Sequence, residues 1–304
     1  MVAKRDRKNL IHPLTVILVL GCFLLIVPSI FADTEKAKEH FNNGVTAQKE
    51  GNDSLAVEEY KSALKEDGAY TDAHINLGSI MFAQGKLNDA IDHFKKATEI
   101  DEANADAWAN LGRVYYKNKN YLEGEQALKK ALDLNKDNQE LNKDLGRIYH
   151  VQKNWPELVK VMTTYTGSVT DDYLGFYLLG KGHQKLKKFP EAITAYKKVT
   201  ELKPDYFNAF NSLGQIYQNQ EKYSQAFKMF NTAVKLKPDN YLAAYNRAVS
   251  YEHDNQDNID QVISYWNKFL KVAKSNPRAK RLIQPTEEHL ADLQELKDYQ
   301  EEGE

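Results

Sequence analysis

From residue 37 to about residue 277 the apolar positions recur at steps of three, four and seven, the period of a helix that buries one face, in blocks of about thirteen residues. Polar stretches such as Gln84-Gly85-Lys86 separate the blocks. The blocks come in pairs, and the pairs repeat every 34 residues. Gly44, Gly78, Gly112, Gly146, Gly180 and Gly214 stand one period apart, and Ala248 takes the seventh place. Leu77, Leu111, Leu145, Leu179 and Leu213 come one residue before the glycines. Tyr60, Phe94, Leu128, Met162, Tyr196 and Phe230 come sixteen after them. Ala56, Ala90, Ala192 and Ala226 follow their glycines by twelve, with Gly124 and Leu158 in the same column. Each unit therefore reads as a helix, a tight turn and a second helix, with small residues where the two backbones cross and large side chains around the crossing. Proline at 204 and 238 stops two of the second helices.

Trp108, Leu111, Gly112 and Tyr115 reproduce the first-helix signature of the tetratricopeptide repeat family, and Ala226, Phe230, Ala233 and Pro238 reproduce its second-helix signature. The chain resembles that family over units at 37–70, 71–104, 105–138, 139–172, 173–206, 207–240 and 241–277. The seventh has roughly two extra residues within 254–258, after which Val262, Trp266 and Phe269 resume the columns. The resemblance implies an all-α superhelix, a solenoid of repeats, spanning 33–277, and the segment 278–304 reads as a capping helix and acidic tail. Pro285 and Thr286 are expected to open that helix, with Leu290, Leu293 and Leu296 covering the last unit. Unit four departs most. Its run Thr163-Thr164-Tyr165-Thr166-Gly167-Ser168 is poor helix material and predicts an early end to the second helix, with a bend near 166–172.

The first 32 residues follow another pattern. Lys4, Arg5, Arg7 and Lys8 precede an apolar run from Leu14 to Phe31, and the chain turns polar at Asp33. This is the layout of an export signal cut after Ala32. Two alternatives stay open: a retained membrane helix with its basic flank on the cytoplasmic side, or a lipid on Cys22, since Val19-Leu20-Gly21-Cys22 resembles a lipobox. All three put the repeats outside the cytoplasmic membrane, in the periplasm or on that membrane's outer face. The membrane enters only through this segment, where it is uncleaved or lipidated.

The whole chain has 41 basic and 43 acidic side chains and a net charge of −2, so no overall field would gather nucleic acid. Its one cysteine lies in the N-terminal run, which excludes an internal disulfide and a cysteine zinc site. No metal is expected, because Asp254, Asp257 and Asp260 lack the spacing and turn glycine of a calcium loop. Nucleophile, metal-hydrolase and phosphate-loop motifs are absent, and the repeats leave no segment for a catalytic domain. The expected class is a non-catalytic scaffold without a cofactor.

In the family the first helices line a concave groove. Carried onto this chain, one groove column holds Asn42, Asn76, Asn110 and Asn246, broken by Asp144, Leu178 and Ser212. It resembles the asparagine ladder with which the O-linked N-acetylglucosamine transferase superhelix grips peptide backbone, an amide being both donor and acceptor. Asparagine is also common at this column for reasons of fold alone. A second set is basic: Arg113, Lys117, Lys143, Arg147, Lys181 and Lys185, with Phe82 and Tyr116 beside them. It suits an acidic peptide or a carboxylate, or else is a solvated helix face. The function expected is binding of a partner protein or extended peptide during assembly or trafficking of an envelope complex. The alternatives are a self-assembling scaffold, or a non-catalytic subunit of an envelope enzyme or polysaccharide export system.

Overall fold

The computed structural model describes residues 34–302, and among these the chain forms fifteen α-helices and no strand. The export, anchor or lipid segment and Cys22 lie outside the described residues. Contacts divide the helices into two units, each described by itself, with the boundary between Asp137 and Asn138. The first holds α1 (34–49), α2 (Asp53–Glu66), α3 (Thr71–Ala83), α4 (Leu87–Ile100), α5 (Ala105–Lys117) and α6 (Tyr121–Leu134). The second holds α7 (Gln139–Gln152), α8 (Trp155–Ser168), α9 (Tyr173–Lys185), α10 (Phe189–Leu202), α11 (Phe207–Asn219), α12 (Tyr223–Leu236), α13 (Tyr241–Asp254), α14 (Ile259–Lys274) and α15 (Lys280–Glu302). A short 3-10 turn at Pro277–Ala279 precedes α15. Within each unit, from α2 to α6 and from α7 to α15, each helix packs on the next.

The crossings are as close as the small-residue columns demand. A Cβ placed on Gly112 would lie 2.5 Å from Leu128 Cγ and 3.1 Å from the Gly124 carbonyl oxygen. On Gly214 it would lie 2.7 Å from the Phe230 ring. Six large residues sixteen positions after the glycines, Tyr60, Phe94, Leu128, Met162, Tyr196 and Phe230, are almost wholly buried over those crossings.

Local signals set the ends. Asn104, Asn138, Asp172 and Asn240 each accept a hydrogen bond from a backbone N–H of the first turn of α5, α7, α9 and α13. The turn between paired helices needs one left-handed residue. Gly51 and Gly85 supply it without strain, but Lys119, Lys153, Lys187 and Glu221 take the same conformation at the matching places, with φ of 66°, 60°, 60° and 58°.

Two expectations are corrected. Helix α8 does not end early: it runs to Ser168 and matches the length of α6 and α10. Burial overrides propensity there, since Tyr165 and Thr166 are buried and the Thr164 and Thr166 hydroxyls donate back to the carbonyls of Lys160 and Met162. Helix α15 opens at Lys280 rather than at Pro285, which sits inside it. Proline there removes one backbone donor, and Thr286 beside it donates to the Leu282 carbonyl at 2.7 Å. Leu282, Ile283, Leu290 and Leu293 pack on the core that contains Trp266 and Phe269. Leu296 does not join them and stays 49% exposed.

Candidate peptide-binding face

The residues singled out above all lie on first helices of the pairs, at matching places of the repeat. In the first unit they are Asn42 on α1, Asn76 and Phe82 on α3, and Asn110, Arg113, Tyr116 and Lys117 on α5. Asn42 and Lys117 are exposed. Asn76 is already committed: its Nδ2 donates to the Tyr60 hydroxyl at 3.1 Å, and that hydroxyl donates to Gln48 Oε1 at 2.9 Å. Asn110 accepts a long 3.4 Å bond from Arg113. Phe82 packs against the core, and the Tyr116 ring lies 6.0 Å from Tyr121.

The asparagine column thus serves two purposes. Where the preceding second helix carries tyrosine, sixteen residues earlier, the side chain in this column faces its hydroxyl, as Asn76 faces Tyr60 and Ser212 faces Tyr196. Burial pushes the Tyr196 phenol up, against a smaller opposing pull from Ser212. Where the preceding residue is Phe94 or Phe230, the amides of Asn110 and Asn246 have no phenol to meet. The sixteen-residue spacing of Tyr60 and Asn76 is a sequence signal that column-by-column reading does not use.

In the second unit the basic residues divide as well. Lys143 Nζ lies 2.9 Å from Asp172 Oδ2, 3.5 Å from Glu140 Oε2, and 5.5 Å from the centre of the Tyr165 ring. Tyr165 donates to Asp172 at 2.8 Å. Burial disfavours the Lys143 ammonium, but hydrogen bonding to Asp172 and Tyr165 outweighs it and holds its pKa above the ordinary lysine value. The same cluster lifts Tyr165 to about 12, by burial first and by the neighbouring carboxylate second. Burial raises Asp172, but its bonds from Lys143, Tyr165 and the Leu174 N–H win and leave it below the ordinary carboxylate value. Lys143 is therefore a structural tie between α7, α8 and α9. Arg147 is also paired, at 2.8 Å from Asp144 Oδ1, though its side chain remains 43% exposed.

Lys181 on α9 differs. It is half-buried, no carboxylate pairs with it among the described residues, and burial followed by repulsion from Lys185 lowers its pKa. His150 on α7 is held below the ordinary histidine value by burial and by Lys181, so it is neutral at pH 7. Lys185 is exposed. Lys181 and Lys185, with uncharged His150 beside them, thus form a positively biased patch that an incoming carboxylate would complete.

Residues 105–138 and 207–240 match the sequence profile described as tetratricopeptide repeat, and residues 78–119 and 180–221 match the one described as TPR repeat. Over these residues the chain carries tetratricopeptide repeats (TPRs). Solved TPR structures share the fold. YrrB, described as a TPR protein with an unusual peptide-binding site, is 24% identical, with 61% of this chain covering 96% of it and a TM-score of 0.58. The C-terminal part of a TPR repeat-containing protein from Cytophaga hutchinsonii is 15% identical, with 79% of this chain covering 98% of it and a TM-score of 0.63. PilF of Pseudomonas aeruginosa is 17% identical, with 74% of this chain covering 99% of it and a TM-score of 0.55. No curated protein matches the chain. These identities establish the α-solenoid class of the TPR units and no more.

Proposed function

We propose that this TPR protein is a non-catalytic scaffold that holds an acidic segment of a partner protein, or an extended acidic peptide, on the first helices of its second unit. The observation that carries this reading is the contrast among cations: Lys143 and Arg147 already have carboxylates, whereas half-buried Lys181 has none and is pressed by Lys185. A neighbour named for a peptide-binding site, YrrB, supports a peptide as the ligand class. The basic start and apolar run of the N-terminal segment support export, and with it a role in assembling or trafficking an envelope complex outside the cytoplasmic membrane.

A fluorescein-labelled poly-glutamate peptide titrated against the chain tests the site. Binding weakens with salt, and Lys181→Glu with Lys185→Glu weakens it at least about tenfold. A glutamine analogue bound equally well, or an unaffected double variant, rejects the patch. Capture from envelope extract with the wild type and the double variant side by side then identifies the partner, and cell fractionation tests its location.

A second reading, self-assembly, rests on the far end of α15. Leu296 is 49% and Tyr299 77% exposed on a helix that also carries Asp292, Glu295, Asp298, Glu301 and Glu302. Light scattering that reports a concentration-independent monomer rejects it, and a salt-sensitive oligomer supports it.

A further inference from the structure

In α3, α5, α7, α9 and α11 the residue before the crossing glycine is leucine, but α13 places Arg247 there. Arg247 is only 8% exposed. No carboxylate pairs with it among the described residues, and its buried Nε finds no acceptor. Ser250, one turn along the same helix and wholly buried, also leaves its Oγ without a partner. What meets the guanidinium is aromatic. Its Cζ lies 4.9 Å from the centre of the Tyr265 ring on α14, which has Tyr251 of α13 at 4.7 Å and Phe227 of α12 at 5.3 Å. Lys268 Nζ lies 5.0 Å from the same Tyr265 ring, and no carboxylate pairs with this exposed lysine either.

A ring face supplies a cation with less than a hydrogen-bonded carboxylate does. Burial accordingly pulls the Arg247 pKa down, with Tyr265 opposing only in part. An anion arriving at this place would meet a guanidinium already desolvated and held in position, so it would gain the charge-assisted bond without ordering a long side chain. The rings favour one kind of anion. A carboxylate offers two oxygens in a plane that matches the guanidinium fork, and an apolar group attached to it can pack on Phe227, Tyr251 and Tyr265. A phosphate dianion would lose more hydration here than one buried donor group returns.

We propose that Arg247, stacked on Tyr265 with Tyr251 and Phe227 packed on that ring, is a binding site for a carboxylate carried on an apolar or aromatic group. The guanidinium receives the carboxylate, the rings take its apolar part, and Lys268 adds charge at the edge. The site uses α12, α13 and α14 and does not depend on the Lys181 patch.

The test titrates the full chain, labelled with nitrogen-15, with N-acetylphenylalanine, its uncharged amide and inorganic phosphate. The readouts are the Arg247 Nε–H signal, assigned by its absence in Arg247→Leu, and the intrinsic tyrosine and tryptophan fluorescence. The carboxylate is expected to give a saturable shift that the amide and phosphate do not reproduce. Arg247→Leu, which restores the residue used in five other helices, is expected to stay folded and to bind at least about tenfold more weakly by fluorescence. Arg247→Lys keeps the charge without the fork and is expected to fall between. Absence of a saturable carboxylate response overturns the proposal, as does equal binding of the amide, tighter binding of phosphate, or undiminished binding by Arg247→Leu.

Discussion

The pairs α11–α12 and α13–α14 are built on the same columns, yet they handle their central crossing in opposite ways. In the first, Leu213 and Gly214 sit under Phe230, all three are nearly or wholly buried, and none carries a polar side-chain atom to satisfy. In the second, Arg247 and Ala248 stand at the leucine and glycine places, Trp266 replaces the phenylalanine, and polar groups enter the core. Trp266 Nε1 donates to Glu252 at 2.7 Å, and the same carboxylate lies 3.0 Å from His289 of α15. The α11–α12 crossing is a packing solution. Its neighbour spends part of that packing on polar groups, of which Glu252, Trp266 and His289 are mutually satisfied and Arg247 is not. Such an uncompensated departure from a repeating pattern is where a site is expected, because packing alone would have kept the leucine.

Exchanging residues between the two pairs breaks the comparison most severely at Leu213→Arg. With no compensating anion in its apolar surroundings, the new guanidinium is expected to cost roughly 3–5 kcal/mol in urea unfolding. A loss under about 1 kcal/mol would show that any repeat accepts arginine there. Next in size is Gly214→Ala: its Cβ would meet the Phe230 ring at 2.7 Å, so a destabilisation of about 1–3 kcal/mol is expected from the same measurement. The reverse exchange, Arg247→Leu, is expected to stabilise the protein by about 1–2 kcal/mol, because it removes an undercompensated buried charge and returns an apolar contact. A lower melting temperature for Arg247→Leu would mean that its stacking on Tyr265 already repays the burial. The smallest effect sharpens the comparison at the turns. Glu221 holds a left-handed φ of 58° between α11 and α12, where Gly51 and Gly85 serve earlier pairs. Glu221→Gly relieves that strain but loosens the unfolded chain, so a net gain of no more than about 1 kcal/mol is expected in a denaturant titration.

Much of the fold and less of the candidate site was legible in the residues. The glycine column at Gly44 through Gly214 and the large residues sixteen places later are strict because a backbone crossing tolerates little variation, and strict requirements leave periodic traces. The threonines of 163–168 misled, since intrinsic propensity is a weak term beside the burial of Tyr165 and Thr166. For the site, residue type placed Lys143, Arg147, Lys181 and Lys185 on one class of helix face but could not rank them. Lys143 is tied to Asp172, a partner 29 residues away, and nothing in the local pattern distinguishes it from Lys181, which has none. Arg247 was visible as a break in the leucine column, but its meaning depends on the rings of Phe227, Tyr251 and Tyr265 converging from three helices.

What the chain alone determined, then, is the repeating helix pair, its crossings and the small choice of residues at its caps and turns. These follow from short-range sterics and from the burial of one helix face, which every unit meets in the same way. Only the tertiary structure decided which charges are already neutralised and which are held without a partner. That outcome is set by distances of a few ångströms between helices far apart in sequence, over which the energy of an ion pair changes from large to negligible.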